Sequence, residues 1–293
     1  MQFSITQESR IGGRDTNQDR AAWLATEEAV LMVVADGMGG HLQGDVAAQL
    51  AVDIITERFR REACPRLADP ALFLGAALRQ AHHSIVHHAA ACQIPTHAAP
   101  RTTCIACVVQ DGTACWAHAG DSRLYLVHGR DDDRRKVIHT RDHSVVQRMV
   151  DDGMIDREKA AQHPMRNRVF SCLGGSAEPQ IEVSTPVLLR NGDLVALCTD
   201  GAWSPLGESM AAELARSPLT STVPHLLDAA ERAAGPDADN LTLVAMRWEG
   251  ADDRELDGDA RRAALPRISN EEIERAIDEL RSRLPFSPTG APQ

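Results

Sequence analysis

Val30-Leu31-Met32-Val33-Val34-Ala35-Asp36-Gly37-Met38-Gly39-Gly40 sets an unbroken apolar run against an aspartate and a glycine-rich turn. A short, valine-rich apolar run bounded by turn residues predicts a buried strand. Two more aspartates stand in like positions. Asp200 follows the run Leu194 to Thr199, and Asp239 precedes Leu241 to Met246. Carboxylates at the ends of three rigid strands can converge on one point, and a hard divalent cation makes such a convergence stable. Asp121, in Gly120-Asp121-Ser122-Arg123, follows a turn at the start of another strand-like run and joins them as a fourth.

Strand-like segments at 2–8, 20–26, 29–35, 102–110, 113–119, 122–128, 193–199 and 240–248 alternate with helix-like ones up to about Gly250. Asp111-Gly112 is a two-residue hairpin signal, and Gly120-Asp121 turns into the next run. Three consecutive hairpin-linked strands predict an antiparallel meander. Apolar residues spaced three and four apart predict helices from about Asp45 to Glu62 and from Pro70 to Ala91. The order fits two mainly antiparallel sheets flanked by helices, an α+β sandwich. Residues 141–175, with a helix from Val145 to Asp152 and a second short one, read as an insertion between core strands. From 250 to 293 the chain turns acidic and linker-like, then helical from about Ser269 to Leu284. The expected division is a core of 1–249 with an appended tail of 250–293.

The chain has 293 residues and a formal net charge of −11. That balance argues against nucleic acid or an anionic membrane as main partner. No basic-then-apolar leader is visible, and no apolar run approaches the roughly 18–20 residues that span a bilayer. A cytoplasmic protein is expected. The seven cysteines lack zinc-type spacing and read as mostly buried thiols. Cys104 and Cys107, at odd separation in one strand, should point to opposite faces. His82-His83 and His87-His88 read as a partly exposed polar helix face, with no carboxylate joining them in sequence.

An all-oxygen donor set favours magnesium or manganese over zinc. Two such ions about 3.5–4 Å apart can share a bridging water and lower its pKa, making hydroxide available near neutral pH. The matching electrophile is a phosphoryl group, and a basic residue should hold it. Arg14, in Gly12-Gly13-Arg14-Asp15-Thr16-Asn17-Gln18-Asp19, is the best candidate, since its planar fork matches phosphate oxygens.

The order Arg14-x-x-Asn17-Gln18-Asp19, Asp36-Gly37-Met38-Gly39-Gly40-His41, Gly120-Asp121-Ser122-Arg123, Thr199-Asp200-Gly201 and Asp239-Asn240 resembles the metal-dependent protein phosphatases of the 2C type. Thr140-Arg141-Asp142-His143-Ser144 and His163-Pro164-x-Arg166-Asn167 resemble the flap of their bacterial branch. The resemblance spans about residues 3–248. It implies an α-β-β-α sandwich and hydrolysis of phosphoserine and phosphothreonine without a covalent intermediate. By position, Asp36 bridges two Mn2+ or Mg2+ ions and Gly37 offers its carbonyl. Asp200 and Asp239 hold the first ion, Asp121 belongs to a weaker third site, and Arg14 binds the substrate phosphate.

Gln18 stands where the family usually has a glutamate near the second metal, and its amide ligates directly or through water without charge. Met38 replaces the histidine of eukaryotic members, which leaves the proton donor to the leaving group unassigned, with His41 a lesser candidate. Ser204 replaces an aspartate that some members use at the third metal. The implied partners are phosphoproteins and a cognate serine/threonine kinase, including the kinase–phosphatase pairs that regulate type VI secretion, with the protein a monomer. The alternative is a catalytically weak phosphoprotein-binding scaffold of the same fold, for which Gln18 is the support.

Overall fold

The structure, a computed structural model, describes residues 1–38, 43–129, 136–207, 209–216 and 218–250. The tail helix expected beyond Gly250, and Gly39, Gly40 and His41 of the glycine-rich turn, lie outside the described residues. The chain begins with strands β1 (Phe3–Arg10), β2 (Asp19–Ala25) and β3 (Ala29–Met38), followed by helices α1 (Gly44–Glu62) and α2 (Pro70–Ala91). Then come β4 (Arg101–Thr102), β5 (Cys104–Gln110), β6 (Thr113–Ala119), β7 (Arg123–His128) and β8 (Lys136–His139). The flap carries α3 (Val145–Asp151), α4 (Arg157–Ala161) and β9 (Leu173–Gly174). The rest is β10 (Glu182–Val183), β11 (Val187–Leu188), β12 (Leu194–Cys198), α5 (Asp200–Leu206), α6 (Ser209–Arg216), α7 (Leu219–Ala234) and β13 (Leu241–Trp248).

Two sheets form from these strands. One runs β1-β13-β12-β7-β8, and the other runs β10-β6-β5-β3-β4-β9 with β2 on β3 and β11 on β6. Every pairing is antiparallel. β3 explains the layering. Val30, Met32 and Val34 pack toward the other sheet with Ile105, Leu124, Leu197 and Val244. Leu31, Val33 and Ala35 pack the opposite way, against Ala51, Ile55, Leu74 and Leu78 of α1 and α2. A strand covered on both faces must be apolar at every position, which is why its sequence shows no alternation. On the other side Ala196, Cys198 and Leu243 pack with Leu214, Leu226 and Leu227 of α6 and α7. The result is the expected α-β-β-α sandwich. α2 starts where its sequence says: Asp69 accepts from the Leu72 N–H at 2.9 Å, and Pro70 occupies the first turn.

Two expectations are corrected. β5 and β6 do form the hairpin at Asp111-Gly112, with both residues at positive φ. β7 does not continue that meander, because it pairs with β12 and β8 in the other sheet. Gly120, at φ +116°, turns the chain between sheets against Thr103, and a side chain there would place Cβ 2.5 Å from the Thr103 Cβ. A turn signal in sequence marks the reversal but not the sheet that receives the next strand. The cysteines are also less uniformly buried than expected. Cys64 and Cys92 are exposed and Cys172 is half-buried, whereas Cys104, Cys107, Cys115 and Cys198 are buried. Cys104 and Cys107 do face opposite layers.

The two glycine turns should respond differently to alanine. Gly112→Ala, at φ +68° with open space around it, should cost about 1–2 kcal/mol. Gly120→Ala, strained and sterically blocked, should cost at least about 3 kcal/mol in urea unfolding. Equal losses at the two sites would contradict the sheet-switch role given to Gly120.

Candidate active site

Asp36 lies inside β3, in register with Asp19 of β2. Here β3 parts from β5, and Thr103 N and Thr102 Oγ1 donate to the Asp36 carbonyl at 2.8 and 2.9 Å. Asp200 opens α5 just after β12, and Asp239 sits two residues before β13. Because β12 and β13 are adjacent, these two aspartates emerge side by side at one end of their sheet. Asp121 follows the Gly120 turn, and Trp203 Nε1 of α5 donates to its carbonyl at 3.0 Å. The sandwich thus brings Asp36, Asp121, Asp200 and Asp239 to one cleft of about 600 Å³, together with Arg14, Gln18 and Gly37. All seven residues singled out in the sequence meet there.

Asn240 fixes the Arg14 loop against the last strand. Its Oδ1 accepts from Gln18 N at 2.8 Å, and its Nδ2 donates to Ile11 O at 2.8 Å and Thr16 O at 3.0 Å. Arg14 Nη2 donates to Asp239 Oδ2 at 2.8 Å, with both side chains open to solvent. Arg20 holds the same loop from outside, through Asn17 O and Asp19 O, both at 2.8 Å.

Sequence reasoning gave no role to Asp19. It is 3% exposed and accepts from Thr199 Oγ1 at 2.9 Å, so it underlies Asp36 and Asp200. Its position at the head of an apolar run matched the other aspartates, but its register opposite Asp36 is a tertiary fact. Asn167, from the flap, also reaches the cleft.

The carboxylates raise one another's pKa. Burial, with the nearby charges of Asp200 and Asp239, lifts Asp19 to about 7 against the hydrogen bonds from Thr242 and Thr199. Burial and Asp239 lift Asp200 to about 6. Burial and neighbouring aspartates, Asp19 first, hold Asp36 well above the usual carboxylate range. Asp121 is likewise raised by burial and then by Asp200 and Asp142.

The residues present suit a hard divalent cation. The acidic donors are all oxygens, and Asp19 Oδ1 and Asp200 Oδ1 are buried without a hydrogen-bond partner. Among the described residues, the tight groups whose ligand atoms lie within 4.8 Å of one another are histidine-based: His82–His83–Glu178 and His118–His143–Glu182. No three of the cleft aspartates bring carboxylate oxygens that close to one another. His83 is exposed, as expected of that helix face, but His82 is buried and Glu178 approaches the pair in space. His82 Nδ1 accepts the Gly174 N–H at 3.1 Å, which puts the proton of the neutral ring on Nε2 and leaves no free lone pair for a metal.

The raised carboxylates give the metal-free protein a pH-dependent stability of definite sign. Their stabilising protons are fully bound below the unfolded value of 3.8 and are lost as pH rises through the folded values of about 6 and 7. In chelator, melting temperature should therefore fall between pH 5 and 7.5. Moving Asp19 from 3.8 to about 7 is worth on the order of 4 kcal/mol at most. Asp19→Asn should flatten the dependence, and a profile identical to the unsubstituted protein would remove Asp19 from the account.

Comparison with known proteins places this geometry. The family model described as protein phosphatase 2C matches residues 6–234. The chain is 33% identical over 221 residues to the serine/threonine protein phosphatase PstP of Mycobacterium tuberculosis, covering 74% of this chain and 40% of the relative. It thus spans about two fifths of that relative's length. The Streptococcus agalactiae serine/threonine phosphatase structure superposes with a TM-score of 0.74 at 25% identity, over 85% of this chain and 100% of that one. The catalytic domain of PstP in complex with two manganese ions superposes with a TM-score of 0.68 at 27% identity, over 85% and 99%. Family match, shared sandwich and convergent aspartates agree: the chain belongs to the protein phosphatase 2C family.

Proposed function

We propose that this chain removes phosphate from phosphoserine and phosphothreonine in proteins, in a metal-dependent hydrolysis. The observation that carries the reading is the convergence of Asp36, Asp121, Asp200 and Asp239 on one cleft with Arg14 at its rim. The two manganese ions bound by the mycobacterial catalytic domain support it. Asp36 would hold both ions, with the Gly37 carbonyl beside it. Asp200 and Asp239 would complete the first site and Gln18 would stand at the second. Asp121 would serve a weaker third, where Ser204 brings no carboxylate. Bound there, Mn2+ or Mg2+ offsets phosphoryl charge and lowers the pKa of water toward neutrality.

The chain's own groups do the rest. Among the described residues Arg14 is paired through one nitrogen only, which leaves its other guanidinium donors for phosphate oxygens. Asn240 keeps that arginine in register with Asp239, so that phosphate and carboxylates meet at fixed separation. Asp19 stays buried below and is satisfied on one oxygen by Thr199. Residues 1–249 form the catalytic unit of this reading and 250–293 an appendage. The partners are phosphorylated substrates and the serine/threonine kinase whose action is reversed, with the protein a cytoplasmic monomer. No helix among the described residues is long and apolar enough to cross a membrane.

Aryl-phosphate hydrolysis should need manganese or magnesium and stop in chelator. Asp36→Asn and Asp239→Asn should each lower kcat by roughly 10²–10³-fold or more, whereas Arg14→Ala should act mainly on KM. Activity indifferent to chelator and to both aspartate changes would end the assignment. Calorimetry should show that Gln18→Glu tightens the weaker manganese site by about tenfold, because a carboxylate then replaces a neutral amide. An unchanged second affinity would place Gln18 outside the metal shell.

A further inference from the structure

A second cavity, of about 680 Å³, opens beside the catalytic cleft. The two share Asp121, Asp200 and Asn167 as common wall, so a chain leaving one enters the other. The flap forms one side, with Val146 and Val150 of α3, and Trp203 of α5 forms part of the other. Its lining carries four arginines and four aspartates, and two of the aspartates, Asp121 and Asp200, stand on the wall shared with the catalytic cleft. Arg123 makes a two-pronged ion pair with Asp142 at 2.8 Å, and Arg141 Nε holds Asp151 at 2.8 Å, so these four cancel. Arg157 of α4 and Arg166 also line the cavity, are exposed, and make no side-chain hydrogen bond or ion pair among the described residues. Outside the shared wall, the charge left unpaired in this lining among the described residues is therefore that of two arginines.

We propose that this cavity seats the substrate polypeptide next to the phosphorylated residue, and that Arg157 and Arg166 select substrates with acidic side chains there. The inference rests on the phosphatase reading above. An extended chain advances about 3.3–3.6 Å per residue, so a few residues from the phosphate suffice to cross the shared wall. Apolar side chains such as Val146, Val150 and Trp203 cover the backbone of the bound segment, while the free guanidinium forks meet carboxylates. Exposed charge pairs contribute modestly, so two of them predict a preference of roughly three- to tenfold, not an absolute requirement.

The test uses the full chain with manganese and phosphothreonine peptides that differ only in glutamate, glutamine or lysine flanking the phosphorylated residue. Fluorescence anisotropy gives Kd and phosphate release gives KM and kcat. The glutamate peptide should bind about three- to tenfold tighter than the glutamine peptide, with the difference in KM rather than kcat and fading toward 0.5 M salt. The double change Arg157→Gln with Arg166→Gln should bring that ratio to one, and Arg157→Glu with Arg166→Glu should turn it in favour of lysine. Equal binding of the glutamate and glutamine peptides by the unsubstituted protein overturns the proposal, as does a preference that survives the double change. If the unsubstituted protein hydrolyses neither peptide nor 4-nitrophenyl phosphate, the phosphatase reading falls, and the anisotropy ratios still decide the cavity.

Discussion

Mutual repulsion among the carboxylates of one cleft is the constraint on which this structure depends. Asp19, Asp36, Asp121 and Asp200 each hold a proton far more tightly than a free side chain does, because burial and like charge both oppose ionisation. Flexible loops would let such groups swing apart. Here they are fixed to strand ends whose own hydrogen bonds and packing resist that movement. β3 carries Asp36 between two apolar layers, and β12 and β13 deliver Asp200 and Asp239 as neighbours. The fold holds charges together that would otherwise separate, and a divalent cation is the natural counterweight.

Small polar groups around the cleft keep this arrangement from relaxing. Thr102 and Thr103 grip the Asp36 peptide, Thr199 reaches under to Asp19, and Asn240 clips the Arg14 loop to the strand that follows Asp239. Each uses a hydrogen bond made in a buried or half-buried place, where an unmade partner is costly. Trp203 extends the same logic sideways. Its indole N–H supports Asp121, and the Arg123 guanidinium lies 3.4 Å over its ring while gripping Asp142 at the root of the flap. The flap, Asp121 and α5 therefore share one set of contacts. The cavity that continues the cleft lies along that seam.

Much of this was legible in the chain itself. The long helices begin and end within a residue of the bounds read from spacing, since amphipathic period and the Asp69-Pro70 start are local signals. Cys104 and Cys107 split between layers because strand geometry alone dictates it. What failed was non-local. The run 122–128 looked like a third meander strand, yet Gly120 sends it to the other sheet. The histidines of α2 looked unaccompanied, yet Glu178, far along the chain, comes to His83. Asp19 was in plain view within Asn17-Gln18-Asp19, but only its register with Asp36 shows it beneath the site.

The amino-acid order determined the strand-end aspartates, their oxygen-only chemistry and the motif sequence that marks the family. Those signals are local, because apolar runs, turn residues and donor types need no partner to be read. The tertiary structure alone decided that Asp19 joins the cluster, that Asn240 sets Arg14 against Asp239, and that Arg157 and Arg166 line the cavity beside the cleft with no ion pair among the described residues. Those facts depend on which segments pack together across more than a hundred residues. Sequence spacing cannot express such pairings, because strand register and sheet order are settled only when both faces of β3 are buried at once.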